Sequence, residues 1–426
     1  MLIEFSVKNF RSIKDVQTLS MAANPKTEYQ ETNTFDSGVK SLPRLLRSSI
    51  MYGPNASGKS NIILALNFMQ FFVLHSQAQQ QGQPIPTSPF MLNTETRNEP
   101  SEFEVHFVQN GTRYQYGFRA NTTQVMAEWL VAYPNNRPQR WFERSFNVET
   151  NEEEWEFSNL FLGGSRRQFW RDTTRSNALF LSTAIQLNNE QLRPVFDWFQ
   201  QKLAIILPSS LINQDISIKL CSDDAGCDQM MQFMNTADIN IAGVEVRKAP
   251  FKAEILPLDM PEILREKIIS DMKDKEMANI RFHHLADNGE IVAFGLEEES
   301  HGTQKIFWMA GPILDVLAKG RILVVDELDT NLHPLLLEYL VKLMHNNSLN
   351  KNNAQLIFAT HNTTILDCPD IRRDQFWFVE KQIDNSTKLY PLTDFSPRKK
   401  EARERGYLKG RYGALPIIRG GLLYAE

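Results

Sequence analysis

The 426-residue sequence is poor in cysteine, with only Cys221, Cys227 and Cys368. An odd count without C-x-x-C spacing excludes a disulfide framework and a zinc cluster, and it points to a reducing, cytoplasmic setting. An excess of positive charge is also missing. The chain has 46 Lys and Arg against 51 Asp and Glu, a net charge of −5, which argues against a generally basic nucleic-acid coat. No apolar run reaches the length of a membrane span, so no membrane partner is expected. Met1-Leu2-Ile3-Glu4-Phe5 enters directly into a strand pattern, so no signal peptide is expected either. There is no internal repeat. What the chain does have is 42% hydrophobic residues, ample for a core, and a length that suggests two or three domains.

One stretch stands out. Gly53-Pro54-Asn55-Ala56-Ser57-Gly58-Lys59-Ser60 fits the phosphate-binding pattern G-x-x-x-x-G-K-[ST] without mismatch. Ser49-Ile50-Met51-Tyr52 before it reads as a short buried strand. Ile62, Leu66, Met69 and Val73 after it recur at helical spacing. In that context glycines let backbone N–H groups turn inward around phosphate oxygens, and the helix N-terminus adds the positive end of its dipole. Lys59 is expected to neutralise the β- and γ-phosphates, and the Ser60 hydroxyl to hold Mg²⁺. The expected nucleotide contacts run from Gly53 through Asn61, with ATP and Mg²⁺ as ligands.

Around this loop the pattern is mixed α/β. Ile3, Phe5 and Val7 alternate as a half-buried strand. Residues 77–89 are rich in Gln and Pro and read as a mobile linker or long loop. Phe103, Val105 and Phe107, then Tyr114, Tyr116 and Phe118, alternate on either side of Asn110-Gly111, a hairpin signal. Acidic and Asn-rich residues near 147–156 mark an expected boundary. Beyond it, helices are expected at Asn177–Leu187, Glu190–Leu203 and Pro261–Lys273. The expected division is an N-terminal lobe at 1–150, a mainly helical inserted subdomain at 151–290 and a C-terminal lobe at 291–426.

Chemistry returns at Ile322-Leu323-Val324-Val325-Asp326-Glu327, an apolar run ending in two carboxylates. Such a run suits a strand buried on both faces. Asp326 at its end is placed to meet Mg²⁺ as the Walker B aspartate does, and Glu327 to polarise an attacking water. The two motifs lie so far apart that a large insertion must separate them.

A phosphate loop and acidic strand end held this far apart resemble an ABC-type ATPase head of the SMC, RecF and OLD kind. Glu299-Ser300-His301-Gly302-Thr303-Gln304 resembles a divergent ABC signature, Asp329-Thr330-Asn331-Leu332-His333-Pro334 a D-loop, and His361 after Leu356–Thr360 a switch histidine. Segment 5–12 resembles the opening strand and turn of RecF/SMC-type heads, and segments 372–381 and 406–416 resemble the tail of stand-alone prokaryotic ATPases, several of them found in abortive-infection and other anti-phage systems. The resemblance implies an α/β fold, an ABC-ATPase head with a P-loop core sheet and antiparallel β subdomain, plus a largely helical insertion.

It also implies a composite site. Lys59, Ser60, Asp326, Glu327 and His361 of one copy would face Ser300, Gly302 and Thr303 of another, with Asp329 in the D-loop. The implied partners are a second copy of the chain and an effector, often a nuclease or TOPRIM-type protein, encoded nearby. The alternative is a DNA-repair or DNA-processing ATPase acting directly on nucleic acid. A transporter subunit is disfavoured by the poor signature. Arg398, Lys399, Lys400, Arg403, Arg405, Lys409 and Arg411 concentrate positive charge near the C-terminus, for nucleic-acid contact or for a solvated helix face.

Overall fold

In a computed structural model of the chain, Asn110 and Gly111 both adopt positive φ, 51° and 71°. They close a two-residue hairpin between Ser101–Gln109 and Thr112–Ala120, with Gln109 opposite Thr112. That conformation gives the tight mirror-image turn whose twist matches the flanking strands. The structure describes all residues except 26–27, 41, 209–213, 238, 240, 252–255, 257–259, 273–275, 397, 399–400 and 417–426.

The hairpin belongs to a seven-stranded antiparallel sheet. Its spatial order is Glu152–Phe157, Gln139–Asn147, Val125–Tyr133, Thr112–Ala120, Ser101–Gln109, Leu2–Lys8 and Gln17–Ser20. A second sheet has six strands, in the order Leu203–Ile206, Ile322–Val325, Gln355–Thr360, Ser48–Tyr52, Phe376–Lys381 and Thr387–Pro391. The first five run parallel and the last antiparallel. Ser48–Tyr52, Ile322–Val325 and Gln355–Thr360 are buried at every residue, as strands covered on both faces of a parallel sheet are.

Between the sheets lies the helix Lys59–His75. Its buried residues include Ile63, Phe68 and Phe72 as well as the Ile62, Leu66, Met69 and Val73 stripe. Burial on more than one face follows from packing between two layers. The Phe68 ring lies 5.0 Å from Phe103 and 5.6 Å from Phe72, and Phe72 lies 5.4 Å from Phe118. These aromatic contacts join the helix to the antiparallel sheet.

One sequence expectation is narrowed to its long-loop alternative and one is revised. Residues 77–89 are tied down: Ile85 is buried and its N–H donates to Thr122 O, while Asn177 Nδ2 donates to Gln80 O and Gln83 O. The expected boundary near 150 is also displaced. The chain turns at Asn151 (φ 57°) and continues as the edge strand Glu152–Phe157. Trp155 and Phe157 then pack on Phe180, 5.3 and 5.5 Å between ring centroids, and Phe107 stacks on Trp198 at 4.3 Å. Aromatic burial therefore fixes residues 151–208 to the first unit. The chain divides into Met1–Pro208 with Val316–Glu426, and Ser209–Asp315.

Described by itself, the Ser209–Asp315 unit contains helices Gln214–Leu220, Asp224–Thr236 and Glu262–Met272, together with the first part of His301–Lys319. An antiparallel sheet of Gly243–Pro250, Glu276–Leu285 and Ile291–Gly295 accompanies them. Asp223 caps the second helix by accepting from Gly226 N at 2.7 Å. Phe282 packs edge-on against Phe307. Among the described residues no helix is long and apolar enough to cross a membrane.

The N-terminal end of the phosphate-loop strand is fixed by a buried polar cluster. His345 Nε2 lies 3.0 Å from both Ser48 Oγ and Gln375 Nε2. Burial, then the neighbouring Arg47 and Arg372 cations, push the imidazole down to about 3 from 6.5. The unfolded chain therefore binds a proton between pH 6.5 and 3 that the folded chain refuses. Stability is expected to be insensitive to this group above pH 6.5. Below that it should fall by up to about 1.4 kcal/mol per pH unit. Urea unfolding of wild type and His345→Gln across that window checks this: the variant should show the shallower acid slope.

Candidate functional site

The parallel strands end together. Thr360 pairs with Tyr52, and Val325 with Phe358, so the chain segments following Tyr52, Val325 and Thr360 leave from one carboxyl edge of the sheet. In open α/β sheets that edge is where ligands bind.

The Gly53–Ser60 loop leaves the Tyr52 strand and enters the helix at Lys59. Gly58 has φ +107° and Ala56 φ +59°. A Cβ on Gly53 would lie 2.2 Å from Val379 O, and one on Gly58 2.0 Å from Thr387 Oγ1. Gly53 is thus required by the close approach of the Val379 backbone, and Gly58 by the Thr387 side chain as well as by its left-handed conformation. Lys59 is 6% exposed and its ammonium donates to Gly53 O at 2.7 Å and Pro54 O at 3.1 Å. Burial lowers it to about 8, against the opposing fields of Asp326, Glu327 and Asp329.

The Ile322–Val325 strand delivers the acids to the same place. Asp326 N still donates to Ile206 O at 3.0 Å, which keeps this residue in the sheet. Glu327 then turns left-handed, φ 54°, at a cost of about 1–2 kcal/mol for a non-glycine residue. The turn sends Leu328 N back to Ala359 O at 3.2 Å. Asp326 is 5% exposed. Burial raises its carboxyl, and the hydrogen bond from the Ser60 hydroxyl opposes that rise.

Asp326 Oδ1 is buried with no hydrogen-bond partner. A carboxylate oxygen with an unspent lone pair, beside a serine hydroxyl, fits Mg²⁺, which takes oxygen ligands and relies on substrate phosphates for part of its shell. Among the described residues no group of three His, Cys, Asp or Glu could hold a metal without such help.

Asp329 and His361 complete the cluster. Asp329 Oδ2 accepts from His361 N at 3.1 Å, and Thr330 Oγ1 reaches Glu327 Oε2 at 3.5 Å. Burial first, then the Lys59 cation, lower the His361 imidazole below its ordinary value. The rest of the His361 side chain stays open to solvent at the edge, so only part of it is desolvated. The structure thus brings Lys59, Ser60, Asp326, Glu327, Asp329 and His361 together.

Ser300, Gly302 and Thr303 belong to the other unit. Ser300 caps the His301–Lys319 helix: its Oγ accepts from Thr303 N at 3.1 Å and lies 2.9 Å from Thr303 Oγ1. The side chain of Asn61 is engaged as a donor to Ser12 Oγ at 2.6 Å, so it supports the loop. Two residues escaped the sequence reading, Ser12 and Thr387. Ser12 sits in the quoted 5–12 segment, which was a usable signal. Thr387 had none.

Among the described cations of the basic tail only Arg403 is buried, while Arg398, Arg405, Lys409 and Arg411 are exposed. Arg403 is 7% exposed, donates to Cys368 O at 2.8 Å and Ile371 O at 3.2 Å, and lies over the Phe376 ring. Arg411 pairs with Glu401, while Tyr407 and Tyr412 stack on Phe378. Burial removes Arg403 and both tyrosines from a nucleic-acid surface, and Arg411 stays exposed with its charge paired. Lys399 and Lys400 lie outside the described residues.

Residues 48–367 match the family described as "AAA domain, putative AbiEii toxin, Type IV TA system". No curated protein matches. Among solved structures, the chain is similar to the SMC head domain from Thermotoga maritima, at 15% identity and TM-score 0.38, covering 92% of this chain and 98% of that one. It is also similar to the recombination mediator protein RecF bound to ATP, at 14% identity and TM-score 0.34, covering 92% and 99%. A third likeness is to cbiO1 from Clostridium perfringens, part of an ABC transporter complex, at 11% identity and TM-score 0.29, covering 90% and 95%.

Proposed function

The chain belongs to the AAA-domain family of the AbiEii, type IV toxin–antitoxin description, with the α/β fold of an ABC-ATPase head, and from that premise we propose that it hydrolyses ATP between two copies of itself to control a partner effector in anti-phage defence. The observation that carries the hydrolytic reading is the cluster at one sheet edge: Lys59 buried in the phosphate loop, Ser60 bonded to Asp326, and Glu327 and His361 alongside. The family's toxin–antitoxin description supports the defence setting.

Each residue has a task that its position explains. The loop N–H groups and Lys59 bind the triphosphate. Ser60 and Asp326 would hold Mg²⁺, which would supply charge neutralisation to the triphosphate. Glu327 orients the attacking water and accepts its proton on the carboxylate. His361 donates to the γ-phosphate. Ser300, Gly302 and Thr303 of the second copy close over the same phosphate from a helix N-terminus. ATP binding then favours the paired state and hydrolysis releases it, a ligand-driven population shift.

The test is ATP turnover by the purified chain, with and without DNA, alongside capture of the protein encoded next to it. ATPase activity indifferent to DNA, together with co-purification of that neighbour, supports the regulatory reading. Salt-sensitive stimulation by DNA ends would replace it with direct DNA processing.

A further inference from the structure

Thr387 opens the last strand of the core sheet, more than three hundred residues along the chain from the phosphate loop, yet the two are in direct contact. Its hydroxyl is buried and donates to Ser57 O at 2.9 Å. Having spent its single proton there, Thr387 Oγ1 can only accept from Ser12 Oγ, 2.7 Å away. Ser12 Oγ in turn accepts from Asn61 Nδ2 at 2.6 Å. The backbone repeats the connection, with Thr387 N donating to Ser12 O at 2.7 Å.

These bonds form one directed chain, Asn61 to Ser12 to Thr387 to the Ser57 carbonyl. Each hydroxyl gives one hydrogen bond and takes one, so each polarises the next. The geometry points to Thr387 as a positioning residue for the nucleotide: it fixes the Ser57–Gly58 peptide so that the Gly58 N–H faces the phosphates. The peptide is planar and trans, so its C=O and N–H point in opposite directions. Holding Ser57 O against Thr387 therefore turns the Gly58 N–H away from Thr387, to the anion-binding side of the loop.

The same contact explains why position 58 must be glycine. A Cβ there would meet Thr387 Oγ1 at 2.0 Å, Thr387 Cγ2 at 2.8 Å and Ser12 Oγ at 2.9 Å. The loop leans on Thr387 without a gap. Thr387 and Ser12 touch the backbone that would carry the phosphate and are assigned no contact with it.

This inference rests on the nucleotide-binding reading above, and the experiment separates the two. Binding of a fluorescent ATP analogue is measured for wild type, Lys59→Ala, Thr387→Val and Thr387→Ser, with a thermal melt of each. Valine keeps the shape and loses the hydroxyl, while serine keeps the hydroxyl and loses a methyl. Thr387→Val is expected to weaken binding about tenfold, the scale of one lost hydrogen bond, with Thr387→Ser close to wild type even if its melting point falls further. A wild type that binds no nucleotide overturns both readings. If wild type binds, Lys59→Ala does not and Thr387→Val binds normally, only the positioning role falls. Equal weakening by valine and serine would assign the effect to packing and also overturn it.

Discussion

Replacing Glu327 by Gln is expected to lower ATP turnover by about 10²–10⁴-fold while leaving nucleotide affinity near wild type. The substitution keeps size and shape, but an amide accepts no proton from the attacking water. Binding survives because Glu327 is neither in the Gly53–Ser60 loop nor in the Ser60–Asp326 contact, which is maintained by the serine hydroxyl and the Asp326 carboxylate. The left-handed turn at Glu327 is a backbone feature that glutamine can keep. With hydrolysis blocked, the ATP-bound pair should accumulate and elute as a dimer in ATP. Phosphate release under single-turnover conditions and size-exclusion chromatography check the two halves. Wild-type turnover in this variant would end the assignment of Glu327 as the base.

Lys59→Ala is expected to act on the other term, lowering ATP affinity by roughly 10²-fold or more as charge-assisted hydrogen bonds to phosphate are lost. A pH signature accompanies it. Lys59 is charged below about 8 and loses its proton above. Binding to a triphosphate favours the charged form. Wild-type affinity should therefore be full below about pH 8 and fall by up to tenfold per unit above it, while the alanine variant stays flat. Equilibrium binding at pH 7 through 9.5 measures this. A flat wild-type profile would mean that Lys59 does not carry the phosphate contact.

Much of this site was legible in the sequence because its parts are local. The phosphate loop needs a fixed spacing of glycines and lysine within one turn, and the acidic strand end needs only four apolar residues and two carboxylates in a row. The Asn110–Gly111 hairpin was legible for the same reason. What escaped depends on contacts between distant segments. The hydroxyl of Thr387 under the loop leaves no local pattern, since any strand can begin with threonine. The displaced boundary near 150 has a related cause. Asn147, Glu149, Thr150 and Asn151 mark a turn equally well whether a sheet ends there or gains one more strand, and only the packing of Trp155 and Phe157 on Phe180 decides. Asn61, read as a nucleotide contact from its place after Ser60, turns toward Ser12 because a partner awaited it there.

The strand order of the core sheet sets a timetable for synthesis. Ser48–Tyr52 lies between Gln355–Thr360 and Phe376–Lys381, so the strand that bears the phosphate loop has no permanent neighbour until the ribosome has added about 300 further residues. At typical elongation speeds that is roughly 15 to 60 s. The antiparallel sheet is under no such delay, since all seven of its strands are present once Phe157 has emerged. The nascent chain therefore passes through a stage with one sheet assembled and a bare hydrophobic strand waiting for its partners. A truncated product ending before residue 355 would carry every residue of the phosphate loop and still lack the edge on which that loop is mounted.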